Sequence, residues 1–578
     1  MTDTLHLERR ALLRAAALGG FSLGLAPLFP AWAQNGTHGL AARGGETLSG
    51  EEIRLTVDHS SFQTGGRSGH AVTLNGTLPG PLLRLKEGQR VRIHVDNRLD
   101  EDTSIHWHGL IVPFEMDGVP GVSFPGIKAR STFTYDFPVK QSGTYWYHSH
   151  SGHQEQSGHY GPLLIDPAGP DPVAYDREHV IVLSDWTFMH PHQLMARLKQ
   201  EGGFFNRQRA TLLRRLHGKD DMSAADRAMF AKMRMDPTDI LDVTGAAYTY
   251  LINGHGPAEN WTGLFKPGER VRLRIINAAA MTIFNIRMPG LPMEVVASDG
   301  QHVRPVKVDE LQIGNAETYD VIVTPGDEAY SFVAEAMDRS GMGVATLAPR
   351  VGIRAAVPPI RKRPVLGMKD MGMGDMAGMN HGAHGGGAAM DHGKMDMRDK
   401  SKVPFEVGVG VDMIAPNPVD RTGDPGLGLD DVGHKVLTYR DLMSAVPNPD
   451  TRAPTRTVEV HLTGNMERFM WSIDGKKLSE APEPIRFERN ERVRVTMINH
   501  TMMTHPMHLH GHFFEVVNGH TGSHPVKHTV MVLPGSKLSF DLTADAPGDW
   551  AFHCHLMLHM HAGMMRVVTV RPLDGETA

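Results

Sequence analysis

The chain has 578 residues, too many for one hydrophobic core, and at about 150 residues per domain it divides into three or four units. Its 62 glycines and 38 prolines favour many short strands joined by turns over long helices. A formal net charge of −6 excludes the broad basic field of a nucleic-acid binder, and past the N-terminus no stretch is long and apolar enough to span a bilayer, so the mature protein is expected to be soluble.

The first element in the chain is a leader. Glu8-Arg9-Arg10-Ala11-Leu12-Leu13 sets paired arginines ahead of an apolar run from Ala15 to Leu28, shorter than the roughly 20 residues a membrane span needs. Ala31-Trp32-Ala33 supplies small residues where a signal peptidase reads, which places cleavage after Ala33. Residues 1–33 resemble a twin-arginine export signal, against the alternative of an uncleaved anchor. That resemblance implies the Tat export machinery as a partner and the periplasm as the destination. In an oxidising compartment a single Cys has no internal disulfide to make. It stands instead beside 34 Met and 34 His, and thiolate, thioether and imidazole together are a copper ligand set.

Three segments then share one pattern: an Asn-Gly or Asp-Gly turn, a polar bend, and an alternating strand that ends in Asn. They run from Asn75-Gly76 to Asn97, from Asn253-Gly254 to Asn277, and from Asp474-Gly475 to Asn499. Period-2 alternation bounded by turn residues predicts half-buried strands of a sandwich or barrel, and three copies predict three homologous domains. Nine residues on from Asn97 stands His106, and nine on from Asn499 stands His508; the same count from Asn277 reaches Ile286. Asp136 leads by twelve to His148-Ser149-His150 and Asp541 by twelve to His553-Cys554-His555, whereas Asp320 leads to Phe332-Val333-Ala334. Domains one and three are therefore expected to hold metal, with domain two a spacer. Thr103 stands in the place of His505 and Ser149 in that of Cys554, so the first domain lacks a thiolate site.

These landmarks give domains at 47–170, 171–350 and 405–578. Leu194, Leu198, Leu212, Leu213, Leu216, Met229 and Met233 among many Arg and Lys predict a helical insertion at about 193–240. Residues 351–404 form a linker rich in Met, His and Gly, including Met371, Met373, Met376, His381, His384, Met390, His392, Met395 and Met397. With so little bulky apolar content it is expected to be disordered.

Four clusters carry the chemistry: His106-Trp107-His108, His148-Ser149-His150, His505-Pro506-Met507-His508-Leu509-His510, and His553-Cys554-His555 followed by His559 and Met564. In a strand, residues two apart face the same way, so each His-x-His pair can clasp one centre while Cys554 faces the other side. Cys554 with two imidazoles and a weak thioether is the ligand set of a blue-copper site, for which His505, His559 and Met564 are the natural partners. The remaining eight histidines suffice for three more coppers. A lone His-x-His pair reads equally well as a zinc or surface motif, and only the four interlocking motifs are decisive.

On those motifs, in order and with their usual spacing, the sequence resembles the multicopper oxidases across essentially the whole mature chain. The resemblance implies an all-β fold of three cupredoxin-like Greek-key domains, four copper ions (one type 1, one type 2, one type 3 pair) and dioxygen as acceptor. It makes His106 and His508 the type 2 ligands, and His108, His148, His150, His510, His553 and His555 the type 3 ligands. Asp117, in Met116-Asp117-Gly118, stands where similar oxidases carry an acid beside the cluster, and is expected to relay protons with Cys554 as the electron entry; the alternative is a plain turn aspartate. Some relatives carry a second acid directly after the equivalent of His559, where this chain has Met560. His153, His159, His255, His302, His512, His520, His524 and His561 match no ligand position and read as surface or structural residues. Trp107 and Trp146 read as packing around the cluster.

The Met-rich linker, the leader and the three-domain layout look like the copper-resistance oxidases of the CopA type. The expected function is oxidation of Cu(I) by dioxygen in periplasmic copper tolerance, by a monomer with no nucleic-acid partner. The alternatives are a laccase-like oxidase taking phenolic donors, a non-catalytic copper-sequestering protein, and a copper nitrite reductase, the last disfavoured by the six type 3 ligands.

Overall fold

The computed structural model describes residues 43–209, 211–217, 222–233, 235–373, 397–481 and 483–575. The expected leader and most of the Met-rich segment lie outside them. The described strands pair into six sheets, two for each sequence repeat. In the first repeat, strands Arg67–Leu74, Glu52–Thr64, Arg90–Asn97 and Thr132–Pro138 form one sheet; Thr47–Ser49, Leu82–Lys86, Tyr160–Asp166, Gly143–His148 and His106–His108 form the other. Their facing sides bury Val91, Ile93, Val95, Trp107, Tyr135 and Phe137, the inward half of each alternating pattern.

The three repeated strands occupy equivalent places. Each pairs in parallel with an earlier strand (Glu52–Thr64, Arg177–Thr187 or Arg456–Asn465) and antiparallel with a later one (Thr132–Pro138, Thr318–Val323 or Ser536–Thr543). The turn residues fold as the sequence demands. Asn75 and Gly76 have φ of 52° and 71°, Asn253 and Gly254 50° and 75°, and Asp474 and Gly475 53° and 72°, the left-handed pair of a tight two-residue hairpin. The terminal asparagines explain the fixed count to the histidines. Asn97 Nδ2 donates to the carbonyls of Glu101, Ile127 and Lys128, and Asn499 Nδ2 to those of Met503, Val532 and Leu533. Each pins the loop that leads into a His-x-His strand.

The middle repeat departs from the sequence count. His106 pairs with His148 and His508 with His553, but Ile286 pairs with Ala334, two residues beyond Phe332. A register is set by pairing rather than by spacing from a distant Asp, and a shift by two keeps every side chain on its own face.

The insertion is helical: Pro191–Gln200, Leu212–Leu216 and Ala224–Met233. Leu194 and Leu198 are fully buried, and Lys199 Nζ donates to the Phe469 carbonyl at 2.6 Å, so the first of these helices lies against the third sandwich. The linker differs from expectation at both described ends. Met371 and Met373 are buried in a cluster with Met337, Met413, Met502 and Met531, and Met397 packs against it. Thioethers fill irregular gaps well, so Met-rich chain packs where Gly content alone predicts none. No described helix is long and apolar enough to cross a membrane.

Candidate metal centre

His106–His108 pairs with Gly143–His148 inside the first sandwich and His505–Leu509 with Gly548–Cys554 inside the third, and the histidines of these strands meet where the two sandwiches adjoin. Eight imidazoles converge there. Ring centroids lie 3.9 Å apart for His106 and His510, 3.9 Å for His108 and His508, 5.0 Å for His148 and His555, and 5.1 Å for His150 and His553. His106 Nε2, His108 Nδ1, His150 Nε2 and His508 Nε2 are enclosed without a hydrogen-bond partner among the described residues. His510 Nε2 faces His553 Nε2 at 3.0 Å, and His148 Nε2 faces His555 Nε2 at 3.4 Å. Burial first, then the neighbouring imidazoles, holds the pKa of His108, His148, His150, His508, His510 and His555 well below the usual value, and that of His553 at about 4. Neutral rings with inward lone pairs are what metal ions require, and such a crowd of unpartnered nitrogens is costly without them.

The outer nitrogens are held by partners that orient the rings. His510 Nδ1 lies 2.9 Å from Asp117 Oδ2, His106 Nδ1 lies 2.8 Å from the Asp117 carbonyl, and His508 Nδ1 lies 2.7 Å from the His528 carbonyl. Asp117 is thus a buried carboxylate joining two ligand candidates, which a plain turn aspartate is not. His148 Nδ1 lies 2.9 Å from Glu155 Oε2, a second buried acid whose carboxyl burial drives well above the usual range. Trp146 stacks on His148 at 4.3 Å, and Trp107 packs among Tyr135, Phe137 and Tyr147.

Two contributors lack any sequence mark. Glu155 follows the His-x-His pair at a distance no motif fixes. His528 is a ninth imidazole, 4.8 Å from His108 and 5.5 Å from His508, on the stretch just before strand Thr529–Val532 that pairs with His505–Leu509. Its only outward sign is a His next to a strand whose partner carries ligands.

The second centre lies on the other side of Cys554, which has a His on each flank. Its Sγ is 3.5 Å from His505 Nδ1 and 3.8 Å from His559 Nδ1, and those nitrogens are 3.2 Å apart. Burial pushes the Cys554 thiol far up, so a thiolate there needs a cation beside it. Met564 is fully buried, and its carbonyl accepts from the Cys554 N–H at 3.1 Å. Trp471 stacks on His559 at 3.9 Å. His559 Nε2 lies 2.6 Å from Asp242 Oδ2, a carboxyl that burial pushes up to about 8. Asp242 lies just past the helical insertion, and no sequence pattern there singles it out. In the first sandwich the matching place is filled by hydrogen bonds: Thr103 Oγ1 and Ser149 Oγ both donate to Gln154 Oε1, at 2.7 and 2.9 Å.

Family models described as multicopper oxidase match residues 56–169, 177–350 and 451–574. The chain belongs to the multicopper oxidases. Copper resistance protein A of Escherichia coli is 48% identical over 98% of this chain and 99% of its own length. A copper resistance protein A of Pseudomonas syringae pv. tomato is 47% identical over 97% and 98%. The solved structure of Fet3p, a multicopper oxidase, superposes with a TM-score of 0.63 at 19% identity over 91% of each chain, and the laccase of Botrytis aclada with 0.61 at 21% over 93% and 89%. The β-sandwich architecture expected from the sequence is therefore that of the cupredoxin-like oxidases, and the cofactor of this oxidoreductase is copper. Its two imidazole centres, one with a lone thiol, fit copper in donor type and in their unpartnered nitrogens.

Proposed function

We propose that this oxidase couples the one-electron oxidation of Cu(I) to the four-electron reduction of dioxygen to water, in periplasmic copper tolerance. The observation that carries the reading is a cavity of about 170 Å³ lined by Met235, Met413, Met466 and Met502 together with Asp239 and Asp412. Thioethers select the cuprous ion, and the Asp412 carboxylate favours its charge. The segment that supplies Asp239 continues to Asp242, which touches His559, so the pocket adjoins the thiolate centre.

In this reading His505, Cys554, His559 and Met564 would hold the type 1 ion. His106 and His508 would hold the type 2 ion, and His108, His148, His150, His510, His553 and His555 the type 3 pair. Bound copper supplies the one-electron steps and the chemistry of dioxygen. The chain supplies the rest. Cys554 is bonded through its own backbone to His553 and His555, so an electron arriving at its sulfur crosses few covalent bonds to the cluster. Asp242 orients His559, Trp471 shields it, and Asp117 sets a carboxyl group against His510 Nδ1 from which protons can be relayed. Export through the twin-arginine route, for which the leader speaks, and a monomeric state complete the proposal, and the two relatives' names support the copper-tolerance role.

Steady-state turnover of Cu(I) and of a simple phenol tests it in a Met413→Leu/Met502→Leu variant, which keeps apolar volume but removes two thioethers. The KM for Cu(I) is expected to rise at least tenfold with phenol turnover unchanged. An equal loss of both, or of neither, contradicts the entry pocket.

A further inference from the structure

Six histidines gather on one face outside the two centres described above. A cleft of about 350 Å³ is walled by His59, His70, His153, His190 and His192, with Glu101 beside them. His561, exposed on the short helix that carries His559, packs its ring on His153. His153 is the middle of the group: its ring centroid lies 4.6 Å from that of His192 and 4.5 Å from that of His561, and His190 stacks on His192 at 5.2 Å. Within the ligand candidates of the oxidase centres, the centroids of His505 and His559 are 5.1 Å apart and those of His148 and His555 5.0 Å, so these rings are close enough to share an ion.

The nitrogens point the same way. Both ring nitrogens of His153 are closed off from solvent with no hydrogen-bond partner among the described residues. A ring nitrogen of His561 is hydrogen-bonded to the Gly152 backbone, the kind of contact that fixes a ligating imidazole in one orientation. Burial, then the rings of His561, His192 and His190, holds the His153 pKa at about 3, so the ring is neutral and its lone pair free at neutral pH. The sequence places these groups by local means. His153 sits on the turn after His150, and His190-Pro191-His192 opens helix Pro191–Gln200, with His190 Nδ1 accepting from the His192 N–H at 3.3 Å.

We propose that this cleft is a divalent-metal site separate from the oxidase centres, in which His153, His192 and His561 hold one Cu(II) ion. Imidazole is a borderline ligand, and Cu(II) stands at the top of the affinity order for divalent first-row ions at such sites. The contrast with the entry pocket is chemical: thioethers for the cuprous ion, imidazoles for the cupric ion. The binding stands on the cleft's own geometry, and only the source of the ion, as oxidation product, rests on the function proposed above.

The test uses the full-length protein already loaded with its four coppers, titrated with Cu(II) chloride and desalted, with retained copper counted and the electron paramagnetic resonance spectrum recorded. Wild type is expected to retain one cupric ion more than His153→Ala/His192→Ala, with nitrogen hyperfine structure in the difference spectrum. Blue absorption and oxygen reduction should be unchanged in the variant. Equal retention and identical spectra overturn the site whether or not Cu(I) is a substrate. If the double variant loses its blue colour, His192→Ala alone, at an exposed position, is read by the same two criteria.

Discussion

Asp117 sits on a turn that only glycine continues: Gly118 has φ of 82°, and a Cβ there would lie 1.8 Å from the Ile105 carbonyl oxygen. That tight docking against the strand His106–His108 brings the carboxylate to His510. Asp117→Asn keeps the shape and removes the acid–base group, so oxygen reduction should slow by about 10²-fold, the scale of one positioned acid or base. Stopped-flow reduction of the blue centre by Cu(I) should be unchanged; equal slowing of both steps would make Asp117 structural. The ligand candidates were legible because period 2 and fixed counts, from Asn97, from Asn499 and from Asp541, determine where His106, His508 and His553 fall. Glu155, Asp242 and His528 were not, because each reaches its histidine through a loop whose path no short-range pattern encodes.

At the scale of elements, the entry pocket combines the end of the insertion, the loop after the Met-rich segment and the third sandwich. Burial raises the Asp412 carboxyl to about 6. Below that pH the group carries its proton and the pocket loses one negative charge; above it the charge is present. The KM for Cu(I) should therefore rise as pH falls through about 6, and Asp412→Asn should flatten that rise. A profile identical in the variant would remove Asp412 from substrate binding. The repeated strands and their hairpins were readable because alternation and left-handed turn residues are local. The middle register slipped by two, since its lost ligands leave no landmark on either strand. The Met371 and Met373 packing was unreadable, because a Gly-rich composition conceals partners that lie far along the chain.

At the scale of the molecule, the second sandwich is more than a spacer. Its Asp299 and Glu317 each lie 3.1 Å from Lys527 Nζ of the third, all three fully buried, and Asp299 Oδ2 also accepts from the His528 and Thr529 N–H groups. This bridge holds the stretch on which His528 meets the cluster. Lys527→Met leaves two buried carboxylates without their cation, and a loss of about 3–5 kcal/mol is expected in denaturant unfolding of the copper-loaded protein. A loss under about 1 kcal/mol would show that the carboxylates find other partners. Each centre joins elements that the chain separates widely, as Asp117 and His510, or Asp242 and His559, illustrate. The two candidate centres are therefore complete only in the assembled three-sandwich molecule.

The most direct measurement is oxygen uptake by the copper-loaded protein supplied with Cu(I), beside Cys554→Ser. The account predicts sustained uptake with four Cu(I) consumed per O₂ in the wild type and none above background in the variant, because every electron must pass the Cys554 sulfur. Equal uptake in both, or none in a fully loaded wild type, would contradict it.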